Sequence, residues 1–400
     1  MKALISFLIV IGAVSAGSSV VAAVPVSPQF ENSRKSSCAL PDIVDNLAVA
    51  DVRNFGARGN GVDDDTSAIN AAIRSLEGGG TVLFPPGRYV HNDVIAIASD
   101  NITLEGRDAE LFATNPDRSA VIIGGKGSGL RNLTISAVRP DARGQSNLQS
   151  GIVVKGEGVR IEQTRVSNTK SAGIWISGGR DYVITCNDVF NTKSDGIHST
   201  DGATNGVVSW NRIYNSGDDG ISVVSYRPDK QASSITIEDN AVEHIRWGRG
   251  ISVIGSTDVT IRRNRVSLVA MAAGIIVARE ASYKTPGASS VVIEHNVVID
   301  DQQKIAPLGE ATRTGHGAIE INSDDDRPAA AVANVTINAN RVDGAAFDGV
   351  RLLGNVCNVR VTSNVMSEIG GKGVNVASHC APALTACQDN VLDGETINCP

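Results

Sequence analysis

The chain of 400 residues carries 36 lysines and arginines against 43 aspartates and glutamates, a net charge of −7 with a pI near 5.4. That balance argues against a nucleic-acid partner and against binding to an acidic membrane surface. The length suits one large domain or two small ones, and aromatic residues are only 4% of it, so any place where they gather is informative.

In chain order, Lys2 and the apolar run "ALISFLIVIGAV" form the positive and hydrophobic regions of a secretory signal peptide, with small-residue cleavage sites after Ala16 or Ala23. Residues 1–23 are therefore expected to be removed and the protein to be secreted or periplasmic. No later stretch approaches the roughly 20 apolar residues of a membrane span. Residues 24–49 read as an N-terminal linker, and 50–400 as a single domain, expected to be a monomer. Six cysteines at 38, 186, 357, 380, 387 and 399 permit disulfides in an exported chain, but their spacing leaves the pairing open. The absence of a CxxC pair argues against zinc, and neither a metal nor a cofactor is expected.

The segment "DDDTSAINAAIRSLEGGG" predicts one amphipathic helix. Asp65 or Thr66 is the N-cap candidate, Ile69, Ala72, Ile73 and Leu76 share one face, and Gly78 stops it. Beyond it the chain repeats. Segments of the type "GIVV" begin at Gly151, Gly173, Gly196, Gly220, Gly250, Gly274, Gly317, Gly349 and Gly373, at intervals of 22 to 24 residues broken by longer ones of 30, 43 and 32. A second column ends Val/Ile-rich runs in asparagine, at 187, 211, 240, 264, 296, 340 and 364. A period near 23 with occasional insertions marks a solenoid, and a stacked asparagine satisfies the amides of a sharp turn. The predicted fold is all-β: a right-handed parallel β-helix with a short N-terminal capping helix and coils about 4.8 Å apart.

Stacking puts the residue before each repeat glycine in one column: Ala172, Asp195, Asp219, Arg249, Ala273, His316, Asp348, Lys372. Asp195 and Asp219 then approach each other with Asp218 beside them. Like charges raise at least one pKa, and a protonated acid beside an ionised carboxylate is what glycosidic cleavage requires. Asp195, Asp218 and Asp219 are thus the catalytic candidates, with turn structure and calcium binding as the competing readings. All three tryptophans (Trp175, Trp210, Trp247) and four of the five tyrosines (Tyr182, Tyr214, Tyr226, Tyr283) fall between 175 and 283. Two insertions, Ser225–Ser234 and Ala278–Ser290, interrupt the period in the same region and are expected as walls of a groove. Substrate-binding candidates are His198, Arg249, Tyr226, Trp175, Trp247, Arg279 and Lys284. Arg249 reads either as a counter-ion to the aspartates or as a substrate anchor, and His198 either as a ligand or as a structural side chain. The acidic run Ser323–Pro328 reads as a solvated loop.

The stretch "VRNFGARGNGVDDDTSAINAAIRSLEGGGTVLFPPGRYV", Val52 to Val90, resembles the opening signature of the pectate-lyase-like β-helix superfamily, which contains polygalacturonases, rhamnogalacturonases, lyases and phage depolymerases. "NTKSDGI" resembles the polygalacturonase "NTDGI" with two residues inserted, and "SGDDGISV" resembles its "DDC" coil. The resemblance implies Asp218 as general acid, with Asp195 and Asp219 activating water in an inverting hydrolysis. Arg249 stands where polygalacturonases have the histidine of "GHG", and Arg279 and Lys284 lie out of register with their basic motif. The expectation is a polysaccharide-active glycoside hydrolase, with stereochemistry open. Three cations, Arg249, Arg279 and Lys284, point to an acidic sugar. The rivals are a uronan lyase or C5-epimerase, with Arg249 on the uronate and His198, Tyr226 or Lys284 moving the proton, and a non-catalytic carbohydrate-binding solenoid.

Overall fold

The computed structural model describes residues 28–39, 48–302, 313–327 and 331–399. The signal peptide expected over 1–23 lies outside the described residues. Eleven strands, from Ile95–Ile97 to Val374–Ser378, stack as one parallel sheet, one strand per coil. In it Ile152, Ile174, Ile197, Ile221, Ile251, Ile275, Ile319, Val350 and Val374 are successive register partners. Each is buried in a core running the length of the solenoid. The remaining coil strands pair with those about one repeat away, again in parallel, until Asn390–Leu392 pairs antiparallel with Glu395–Ile397.

The repeat glycine is a steric requirement. A Cβ on Gly220 would lie 2.3 Å from Val242 Cγ1 and 2.6 Å from the Gly250 carbonyl oxygen, and one on Gly196 would meet Ile213 and Gly220 in the same way. The asparagines form the expected ladder and carry it one rung further. Asn240 Nδ2 donates to Asn264 Oδ1 at 2.9 Å, Asn264 to Asn296 at 3.0 Å, and so on to Asn390. Each backbone N–H of the ladder also finds the next side-chain oxygen, so buried amides at the turn are satisfied.

One register expectation is corrected. Ile275 pairs with Ile319 and donates to the Ala318 carbonyl, so Ala318 occupies the glycine position. Gly317, not His316, precedes it in the column. A slip of one residue reverses which face a side chain meets, and His316 arrives in the cleft from the loop instead.

The capping helix, α2, spans Thr66–Arg74 and buries Ile69, Ala72 and Ile73. It stops short of Gly78. Asp65 holds the N-cap position, but its carboxylate accepts from the backbone N–H groups of Arg58 and Gly59, and Asp64 receives the Thr66 N–H. Within the stretch 24–49 expected as a linker, Pro28–Ser37 is a helix, α1. Cys38, just beyond it, forms a disulfide with Cys186. Arg34 donates to the carbonyls of Trp210 and Cys186 and pairs with Asp188 at 2.8 Å. The other disulfides are Cys357–Cys380 and Cys387–Cys399.

Candidate active site

The sheet of eleven strands presents an outward column two residues after the repeat glycine, Trp175, His198, Ser222, Ser252 and Ile276, then Glu320, two residues after Ala318. Beside it runs the column of Asp195, Asp219 and Arg249. Each carboxylate is bracketed by the next coil. Asp195 Oδ2 accepts from Ser222 Oγ at 2.7 Å, and Asp219 Oδ2 from Ser252 Oγ at 2.5 Å. Asp219 Oδ1 accepts the Arg249 backbone N–H at 2.7 Å. Gly248 makes room for this, since a Cβ there would lie 2.5 Å from both the nitrogen and Oδ1 of Asp219. Asp348 is bracketed in the same manner by Lys372 and Asn375, so the bracket alone is a device of the fold.

Asp218 is what sets the upper coils apart. It follows the turn at Ser216–Gly217, and one oxygen from each of Asp195, Asp218 and Asp219 lies within 4.8 Å of the others. Burial, then the charges of Asp219 and Asp195, push the Asp218 carboxyl up to about 6 against the pull of Arg143, whose Nη1 is 2.6 Å from Oδ2. Burial also raises Asp219, opposed by Arg249. Burial acts on Asp195 in the same direction but loses to His198 and the Ser222 hydroxyl, which hold it below the usual carboxylate range. His198 Nδ1 lies 2.7 Å from both Asp195 Oδ2 and Ser222 Oγ. Burial disfavours its imidazolium, yet the Asp195 charge prevails and its pKa rises. Three carboxylates would suit a divalent cation, but Arg143, Arg249 and His198 already neutralise them.

The cleft over this cluster has a volume of about 730 Å³. His198, Arg249, Tyr226, Trp175 and Trp247 line it as expected, and both insertions contribute walls through Tyr226, Glu280 and Tyr283. Arg249 acts as the counter-ion: its Nε is 3.1 Å from Asp219 and its Nη2 3.3 Å from Glu280.

Two of the candidates lie apart from the cleft. Arg279 is buried and pairs with Asp324 and Asp325 at 2.9 and 2.8 Å, because alternation along Ile275–Arg279 aims it away from the cleft; this also ties down part of the acidic run read as solvated. Lys284 lies in the turn of its insertion, where its carbonyl accepts the Arg227 N–H, and is not among the residues lining the cleft. Of the other aromatics, Tyr182 is core, Tyr214 stacks on Phe190, and Trp210 meets Phe30 of α1.

Arg143 and Glu280 were not anticipated. Arg143 precedes the repeats and reaches Asp218 from the loop after Ala137, which Lys193 steadies by donating to the Asp141 carbonyl. Glu280 follows a repeat strand, inside an insertion. His316 also faces the cleft; burial, Arg351 and Arg249 push its pKa down to about 4, and its Nδ1 lies 2.5 Å from Thr314 Oγ1.

Residues 119–286 match the family described as right handed beta helix region. Mannuronan C5-epimerase AlgE6 of Azotobacter vinelandii is 58% identical over 40 residues, 10% of this chain and 5% of that protein. The AlgE6 A-module superposes with TM-score 0.58 at 19% identity, over 86% of this chain and 99% of the module. An exopolygalacturonase from Thermotoga maritima gives 0.65 at 15%, over 92% and 96%. The catalytic domain of a GH87 α-1,3-glucanase was solved in complex with tetrasaccharides, as variants in which one or the other of two consecutive aspartates is alanine. It gives 0.63 and 0.61 at 17% and 16% identity, over 88% of this chain and 70% of that one. With the register and topology above, these likenesses identify the chain as a right-handed parallel β-helix.

Proposed function

We propose that this β-helix is a polysaccharide-active glycoside hydrolase in which Asp218 is the general acid and Asp195 the base. The observation that carries the reading is the pair of opposed shifts inside one cluster. Asp218 retains its proton towards neutral pH, while Asp195, within 4.8 Å, is held ionised. A single environment that separates two carboxyls in this way supplies both halves of acid–base cleavage. Asp219, with both oxygens engaged, positions Asp218 and sustains its raised pKa. The carbohydrate-acting neighbours, and the consecutive aspartates altered in the glucanase, support this assignment.

The test is a polysaccharide panel read for new reducing ends and for unsaturated products. New reducing ends alone are expected, with Asp218→Asn and Asp195→Asn each lowering turnover at least about a hundredfold. Near-normal turnover in both variants would move the active site elsewhere.

His316 favours a second reading. A neutral imidazole in the cleft is chemically able to take the C5 proton of a uronate, as in elimination or epimerisation. Unsaturated ends, or solvent deuterium appearing at C5 without cleavage, would establish that chemistry instead.

A further inference from the structure

We propose that the cleft takes an uncharged polysaccharide, held on aromatic and apolar faces, and that its own carboxylates exclude uronate chains. The inference rests on the polysaccharide reading above and supplies its substrate class.

Two arginines line the cleft among the described residues, and both are committed. Arg143 is 2.6 Å from Asp218, and Arg249 bridges Asp219 and Glu280. His198, whose imidazolium the Asp195 charge favours, is likewise taken, 2.7 Å from Asp195. The carboxylates of Asp195, Asp218, Asp219 and Glu280 face these three groups, so among the described lining residues no cation is left over for a ligand. Arg279, which would have been a third cation, is turned to Asp324 and Asp325, and Lys284 stands outside the lining. A uronate entering beside the cluster would meet carboxylates at short range and no unpaired cation, a repulsion that burial strengthens. A recognition site for uronates needs the reverse, a guanidinium fork free to take a carboxylate.

The rest of the lining suits neutral sugar rings. Trp247 and Tyr283 stand 63% and 64% exposed on the cleft walls, offering flat faces for the C–H sides of pyranoses. Val224, Ile254 and Ile276 form an apolar floor, with Tyr226 packed against it. The indole Nε1 of Trp175, a side chain lining the cleft, is buried without an acceptor. A large exposed apolar surface beside a buried polar donor is the composition of a carbohydrate site rather than of an ion-exchange groove.

The experiment compares each uronan with its own neutral form, so that only charge differs. Polygalacturonate and mannuronan are each paired with their carboxyl-reduced products, alongside neutral glucans, and binding is measured by affinity electrophoresis at low salt. Neutral chains are expected to bind at least about tenfold more tightly than uronans, with the gap narrowing in about 0.5 M salt. Glu280→Gln should narrow it further by improving uronan binding alone. Uronans binding as well as or better than their reduced forms, or no neutral chain binding at all, would overturn the inference. Binding is read without turnover: neutral binding with no cleavage would remove the hydrolase reading and leave this one, and uronan binding with cleavage would do the reverse.

Discussion

Asp218 shows what one carboxyl contributes to stability as well as to chemistry. Its pKa in the folded chain is about 6, against 3.8 for the ordinary side chain. Below pH 3.8 it is protonated in both folded and unfolded states. Between 3.8 and 6 the unfolded chain releases the proton first, so stability falls as pH rises through the folded pKa. Asp218→Asn should therefore stabilise the protein at pH 8 by about 2 kcal/mol, after allowing for the lost pair with Arg143, and change little at pH 3.5. Thermal melts at the two pH values check this; coincident curves at pH 8 would show that the folded chain does not raise the Asp218 pKa above its ordinary value. Asp195, Asp218 and Asp219 were legible in the sequence because they sit at a fixed offset from the repeat glycine. Arg143 and Glu280 were not, since they enter from a loop and an insertion that follow no period. Nor was the fate of Arg279, which depends on Asp324 and Asp325, 45 and 46 residues later.

At the scale of the element, the asparagine ladder closes one turn of every coil from Asn187 to Asn390. Asn264 Oδ1 accepts both the backbone N–H and the Nδ2 of Asn240, while its own Nδ2 serves the Ile237 carbonyl. Asn264→Ala would leave the Asn240 backbone N–H buried and unpaired, while Asn240 Nδ2 keeps the Val208 and Glu238 carbonyls, and should destabilise by about 1–3 kcal/mol; urea unfolding monitored by circular dichroism measures it. An unchanged midpoint would mean that water replaces the amide. Period 23 and the two columns made this architecture readable, since strand pairing in a solenoid follows directly from repeat alignment. The slip at Gly317 is not legible in the sequence because it follows a 43-residue interval, across which glycine spacing no longer reports register. The helix α1 leaves little trace in the sequence because PQFENSRKSS shows little apolar periodicity. Its place depends on a distant cysteine and on Arg34.

Across the whole molecule, Cys38–Cys186 joins residues 148 apart and holds α1 against the outer surface of the coils. Chain-entropy reasoning assigns such a closure up to about 5 kcal/mol. Cys38→Ser should lower stability in urea and open Arg34 and Lys35 to trypsin, while leaving the cleft intact. Trypsin resistance equal to that of the parent would show that Arg34 and the Phe30–Trp210 contact suffice. The two ends of the solenoid differ in kind. A parallel β-helix grows like a crystal along one axis, each coil being a template whose exposed amides specify an identical next layer. At the first coils α2 lies over the core as a foreign object. At the last, the chain reverses so that Glu395–Ile397 runs antiparallel against Asn390–Leu392, and Ile397 packs against the final repeat glycine, Gly373. That reversal destroys the translational symmetry on which further addition depends, so the lattice terminates after a set number of layers and the surface left over no longer matches its own beginning.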